Sequence, residues 1–241
     1  MVPRRLPHRR VLWWHPILVS WPERYLRSSI GAKHVMAVTG LLLVLFAIVH
    51  MLGHLQIFGG ADMYNAYAHF LQDLWEVKWP VRIGLVALLV VHVVLAIGLV
   101  AKNRAARPVG YARYRPAMSS VVGRTMAVSG LVVLVFLIFH ILHFTLGSVD
   151  AKYFHVADHK QRWDAYAMYV HAFRQPAMYI AYLVGIALLA AHLGHGASAW
   201  LQSLGLRHPK YRTDAIGPIV ALGLFVGYML PPTAILLGAV T

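Results

Sequence analysis

Fifteen histidines and no cysteine limit the chemistry open to this 241-residue chain. Without thiols there are no disulfides, no thiolate-ligated iron-sulphur clusters, no haem attached through C-x-x-C-H and no cysteine nucleophile. Imidazole is the remaining soft ligand. His50, His92, His140 and His192 each lie within a long apolar run. A neutral imidazole in such a setting still carries one N–H donor and one lone pair, and both need partners. Haem iron held by two imidazoles requires two histidines at one depth on different helices, opposed across a flat macrocycle in a dry pocket. A hydrogen-bonded or proton-relay role suits a single buried histidine. Four in depth-matched pairs, without a matching set of buried carboxylates, favour ligation: His50 with His140 and His92 with His192.

The pairing comes from an internal duplication. HVMAVTGLLLVLFAIVHMLGH matches TMAVSGLVVLVFLIFHILHF at an offset of 90 through Met36/Met126, Gly40/Gly130, Phe46/Phe136 and His50/His140. Asn65-Ala66-Tyr67-Ala68 then matches Asp164-Ala165-Tyr166-Ala167, and His92 corresponds to His192. A helix, a hairpin and a helix are written twice. Two repeats of the same orientation imply a pseudo-twofold axis along the membrane normal, so equivalent residues face each other across it. Helical rise separates the two histidine levels by roughly 10 to 20 Å.

The elements that position these residues are membrane spans. Hydrophobic residues make up 59% of the chain and charged residues 12%, too few to cover a water-soluble particle of this size. Five segments are long and apolar enough to cross a core of about 30 Å: 34–57, 81–101, 121–146, 177–201 and 215–238. The fold class is therefore all-α, an integral membrane bundle of five transmembrane helices with an internal two-helix repeat. Residues 1–29 form an interfacial cytoplasmic segment and 30–241 a single transmembrane domain. The net charge of +14 reflects topology rather than nucleic acid, because a nucleic-acid binder has no use for such apolar runs. With the N-terminus in the cytoplasm, sixteen of the 22 basic residues fall inside, and the six outside are balanced by six acids. Five spans then put the C-terminus outside, in a multi-pass protein of the cell (inner or plasma) membrane.

Other residues receive plainer expectations. Trp75, Trp79, Trp163, Tyr166 and Tyr169 read as an outer interfacial belt. Gly40, Gly53, Gly98, Gly130 and Gly194 allow close approach of a macrocycle or a neighbouring helix. His54, His143 and His195 lie three or four positions from a proposed ligand and are expected to bond haem propionates, backbone or water, with His195 the alternative to His192. The acids Asp62, Asp73 and Glu76 read as solvated loop acids. The fifth span has no repeat partner and no histidine, and is assigned to packing.

Taken together, SSIGAKHVMAVTG, His50-Met51-Leu52-Gly53, FGGADMYNAYAHFL, NRAARPVGY, FHILHFTLG and HLGHGASAWLQSLG resemble the cytochrome b subunit of bacterial succinate dehydrogenases and fumarate reductases, in its five-helix, two-haem form. The resemblance covers roughly residues 28–238. It implies a subunit of succinate:quinone oxidoreductase (respiratory complex II) that carries no dehydrogenase chemistry itself. Such a subunit anchors a flavoprotein and an iron-sulphur protein and carries electrons between them and a membrane quinone, menaquinone more readily than ubiquinone. It implies two b haems, His50 with His140 for the outer and His92 with His192 for the inner. It also places Ser29 and Lys33 where relatives with an inner quinone site have a serine and an arginine; His34, like His54, His143 and His195, is a further candidate for a quinone or propionate contact. The chain departs from some two-haem relatives in having no acid between Met178 and Leu201 to carry protons. A cytochrome b anchor of another quinone-linked oxidoreductase, and a haem-free histidine-lined transporter, are the alternative readings.

Overall fold

In the computed structural model the described residues are 23–25, 28–106, 109, 121–154, 156–206 and 215–241. Most of the expected interfacial segment 1–29, and most of the basic loop after the second span, lie outside them. Seven helices carry the architecture: α1 Ser29–Leu55, α2 Ala61–Asp73, α3 Trp75–Ala105, α4 Met126–His140, α5 Ala165–Arg174, α6 Pro176–Ser203 and α7 Ile216–Leu236. Five of the spans so formed are long and apolar enough to cross a membrane, namely Ser29–Gly59, Trp75–Ala105, Met126–Thr145, Pro176–Ser203 and Ile216–Leu236. Among the described residues there is no strand, only an isolated bridge between Ala157 and Trp163.

Local sequence fixes the ends. Ser28 caps α1, its hydroxyl accepting the Gly31 N–H at 3.0 Å, and Asp164 caps α5 by accepting the Ala167 N–H at 2.9 Å. Pro176 opens α6 at a position where a missing N–H costs nothing. α3 runs past its expected window at both ends, and α1 begins five residues before its own, where Ser28 caps it. α4 closes in a π-helical turn over Ile141–Thr145.

The duplication in sequence is a duplication in structure: α1, α2 and α3 recur as α4, α5 and α6. Within each repeat the first and third helices pack together, and α1 also packs on α6. The symmetry-related seam between α3 and α4 is much thinner. α7 accounts for the difference, since it lies along α6 and also touches α1. Its seat on α6 is made of small residues: Ala190, Gly194 and Ala197 are all buried. A Cβ added at Gly194 would meet the Ala221 Cβ at 2.6 Å and the Gly217 carbonyl at 2.7 Å. Close backbone approach of this kind is how helices associate where lipid is as apolar as leucine. Pro231 and Pro232 sit fully buried within α7, where each removes a helical hydrogen bond.

Gly194→Val should therefore lower stability to unfolding in mild detergent by about 1 to 3 kcal/mol through overpacking. Gly98→Val, on α3 with open space beside it, should cause no loss. Equal effects of the two would rule out the close α6–α7 seat.

Candidate metal centres

The first pair of histidines lies mid-bundle. His92 of α3 reaches onto α1, where its Nδ1 is 3.2 Å from the Thr39 hydroxyl and its Cε1 would be 3.2 Å from a Cβ on Gly40. His192 of α6 does the same on α4: Nδ1 is 3.1 Å from the Ser129 hydroxyl, and Cε1 would be 3.1 Å from a Cβ on Gly130. Thr39 and Ser129 stand ninety residues apart, as do the two glycines, so the pseudo-twofold extends to the atoms around each ring. The glycines expected to admit close approach do so here, since any side chain at Gly40 or Gly130 would press on the imidazole. His195 makes no comparable contact, so it is His192 that the structure sets against α4.

The second pair lies toward the end of the bundle that carries α2 and α5. His50 of α1 and His140 of α4 face each other with ring centres 5.9 Å apart and planes at 83°. With metal–nitrogen bonds of about 2 Å, two imidazoles sharing one iron bring their ring centres to roughly 6 Å, so the spacing suits ligation. Phe46 packs on His50 and its repeat partner Phe136 on His140. From Gly40 to His50, and from Gly130 to His140, is ten residues, about 15 Å of helical rise between the two levels.

Around this second pair the repeats diverge. His54 Nε2 lies 3.2 Å from His50 Nε2, and its Nδ1 is 2.8 Å from the Tyr64 hydroxyl. On the other side, the Tyr182 hydroxyl lies 3.0 Å from His143 Nδ1 and 3.4 Å from His140 Nδ1. His54 and His143 thus bond to tyrosines, where the sequence led us to expect propionate, backbone or water. Tyr228 of α7 donates to the Ala47 carbonyl at 2.6 Å, and its ring lies 6.3 Å from that of His50. The fifth span, assigned only to packing, therefore also steadies the helix that carries His50. The interfacial belt needs a correction as well. Trp75 and Trp79 are exposed, but Tyr169 is buried, stacked on His54 and Phe144 and tilted against Phe173. Burial raises the Tyr64 and Tyr169 phenols, so both remain protonated donors at neutral pH.

Sequence reasoning missed Thr39, Ser129, Tyr64 and Tyr182. The offset of 90 already aligned Thr39 with Ser129, a usable signal. Tyr182 has no repeat equivalent that would have marked it.

The remaining predicted contacts lie apart from these rings. Lys33 lines a cleft of ≈ 330 Å³ with Ile30, Met36, Ala199, Gln202 and Ser203, at the end of the bundle opposite α2 and α5. Ser29 is exposed one turn before it, and His34 hydrogen-bonds Tyr25.

A polar cap joins α2 and α5 above the second pair. Asn65 is almost fully buried; its Nδ2 donates to Asp164 Oδ1 at 2.9 Å and to Asp158 Oδ2 at 3.4 Å, and its Oδ1 accepts the Tyr166 N–H. Arg162 bonds both Asp158 and Asp62, and Lys160 bonds Asp62. Asp62 is exposed, as expected of a solvated acid, but it stands in the first turn of α2 and is paired with Lys160 and Arg162. Burial pushes the Asp158 carboxyl up, but hydrogen bonds from the Arg162 side chain and from the Arg162 and Lys160 backbone outweigh it and hold the group well below the carboxylate range. Compared with protein-family models, curated proteins and solved structures, the chain returns no match.

A carboxyl with a depressed folded pKa contributes stability that is complete above its ordinary value, about 3.9, and is lost as pH falls through the folded value. The midpoint of thermal unfolding should therefore drop as pH is lowered below about 4. Asp158→Asn should melt lower at neutral pH and lose less on acidification. An acid slope unchanged by that substitution would remove Asp158 from the cap.

Proposed function

We propose that the chain is a membrane-anchor cytochrome b that holds two b haems, one between His92 and His192 and one between His50 and His140. The observation that carries this reading is the pairing itself. Two sets of repeat-equivalent imidazoles, each set from different helices, stand at two levels about 15 Å apart, and the rings of the second set face each other. The residues fit the group: glycine beneath each mid-bundle ring, and a ring spacing at the second pair that suits one shared metal. His50, through the Nε2 that meets His54, and His140 would hold the iron of the second haem. Bound at both levels, the haems supply one-electron transfer across the bilayer.

The chain's own work is ligation, spacing and dielectric control. Its helices exclude water from the rings, its glycines admit them, and its hydroxyls and phenols orient them. Together with the sequence resemblance, this supports a place in a succinate:quinone oxidoreductase, with flavoprotein and iron-sulphur partner subunits and menaquinone as the favoured electron carrier in the membrane. The positive-inside bias supports a cytoplasmic N-terminus and hence α2 and α5 on the outer side. The cleft at Lys33 then opens near the inner face, where a quinone head group could sit between apolar walls and one cation.

A reduced-minus-oxidised absorption spectrum of the purified protein should show a b-type band equivalent to two haems per chain. His140→Ala and His192→Ala should each delete about one of the two. No b-type band would reject the reading in favour of a haem-free transporter. Full haem content in both variants would reject the ligand set. Co-purification of a nickel or molybdenum subunit would move the chain to a different quinone-linked complex.

A further inference from the structure

Thr39 and Ser129 do more than fill space beside His92 and His192. A hydroxyl carries one hydrogen and two lone pairs. The Thr39 hydrogen is committed to its own helix, where Oγ1 donates to the Val35 carbonyl at 2.9 Å, with the Met36 carbonyl at 3.1 Å sharing it. The Ser129 hydrogen is committed in the same way, to the Met126 carbonyl at 3.1 Å. Toward the histidines both oxygens can therefore only accept. The atom opposite each is Nδ1, so Nδ1 carries the imidazole proton in both rings.

A neutral imidazole protonated at Nδ1 has its lone pair on Nε2. The ring edge between the two nitrogens, Cε1, rests where Gly40 and Gly130 have no side chain. Backbone and hydroxyl together thus select one tautomer and one ring orientation. The device is written twice, as Thr39-Gly40 and Ser129-Gly130, each acting on the histidine of its own repeat. At the His50/His140 level the contacts differ: His140 Nδ1 meets the Tyr182 phenol, and His50 meets His54 through Nε2. Accepting a hydrogen bond from Nδ1–H also makes a ligating imidazole more basic, which favours the more positive, oxidised metal.

We infer that Thr39 and Ser129 are positioning residues that hold His92 and His192 as Nδ1–H tautomers with Nε2 presented to the iron. By the same hydrogen bonds they keep the reduction potential of that centre low. This rests on the reading that His92 and His192 hold a haem.

The test is a redox titration of both haems in the purified full chain, for the wild type, Thr39→Val, Ser129→Ala and Thr39→Ser. Thr39→Val and Ser129→Ala should each raise the potential of the His92/His192 haem while leaving the other unmoved. An effect of about tenfold in the one-electron equilibrium is about 59 mV. Thr39→Ser, which keeps the hydroxyl, should match the wild type. If Thr39→Val instead loses one haem, restoration of that haem in Thr39→Ser supports the proposal. Failure of Thr39→Ser to restore it assigns the effect to packing and overturns it. Potentials unchanged in both hydroxyl-free variants at full haem content, or a shift confined to the other haem, overturn the proposal while leaving the haem reading standing. A wild-type chain without haem defeats both.

Discussion

A ring nitrogen inside hydrocarbon has no water to turn to, and this constraint organises the structure. Each of the four core histidines must be given partners by the protein, and for His92, His192 and His140 the partner comes from another helix. His92 and His192 cross to Thr39 and Ser129; His50 and His140 are served by His54 and Tyr182. These contacts fix how the helices sit against one another more tightly than apolar packing could, because helices surrounded by lipid gain little from hiding leucine and valine. The large exposed apolar faces of α3 and α4 are a normal consequence.

The duplication makes it simple to meet the constraint twice, and α7 shows where the symmetry gives way. On α6 its seat is Ala190, Gly194 and Ala197. The equivalent positions on α3, one hundred residues earlier, are Val90, Val94 and Ile97, which are 54%, 61% and 65% exposed. Branched side chains there leave no slot for a helix, so the α3–α4 side faces outward while the α1–α6 side is covered. The helix that covers it brings Tyr228 to the Ala47 carbonyl, one turn before His50. The break in symmetry is thus felt at both levels: α7 covers the stretch of α6 that carries His192 and reaches the helix that carries His50.

Much of this was legible in the sequence because apolar run length and repeat spacing are one-dimensional signals. The five spans and the pairing of His50 with His140 follow from them directly. Span ends were less legible: α3 starts at Trp75, six residues before its apolar window, and accommodates Pro80 near its first turns. The roles of Tyr64, Tyr169 and Tyr182 were hidden, since an aromatic near a membrane boundary reads as a belt residue until tertiary structure turns it inward. Thr39 and Ser129 were hidden differently. Their alignment was visible, but the ring each one meets lies 53 and 63 residues away on another helix.

The cap formed by Asn65, Asp158, Asp164 and Arg162 bears on the asymmetry between the two levels. Asn65 and Tyr64 are neighbours on α2, so the residue that ties α2 to α5 also sets the position of the phenol that holds His54. His54 in turn meets His50. The polar surface is linked in this way to the nearer histidine pair through three consecutive contacts, whereas the mid-bundle pair is held entirely by groups within the spans. Two centres built on one duplicated plan therefore stand in different surroundings: one in a shell of phenols and a further imidazole that leads to a charged cap, the other between aliphatic hydroxyls and glycines. On the proposed reading, that difference in surroundings gives two chemically identical haems different potentials, and so a direction in which an electron moves downhill between them.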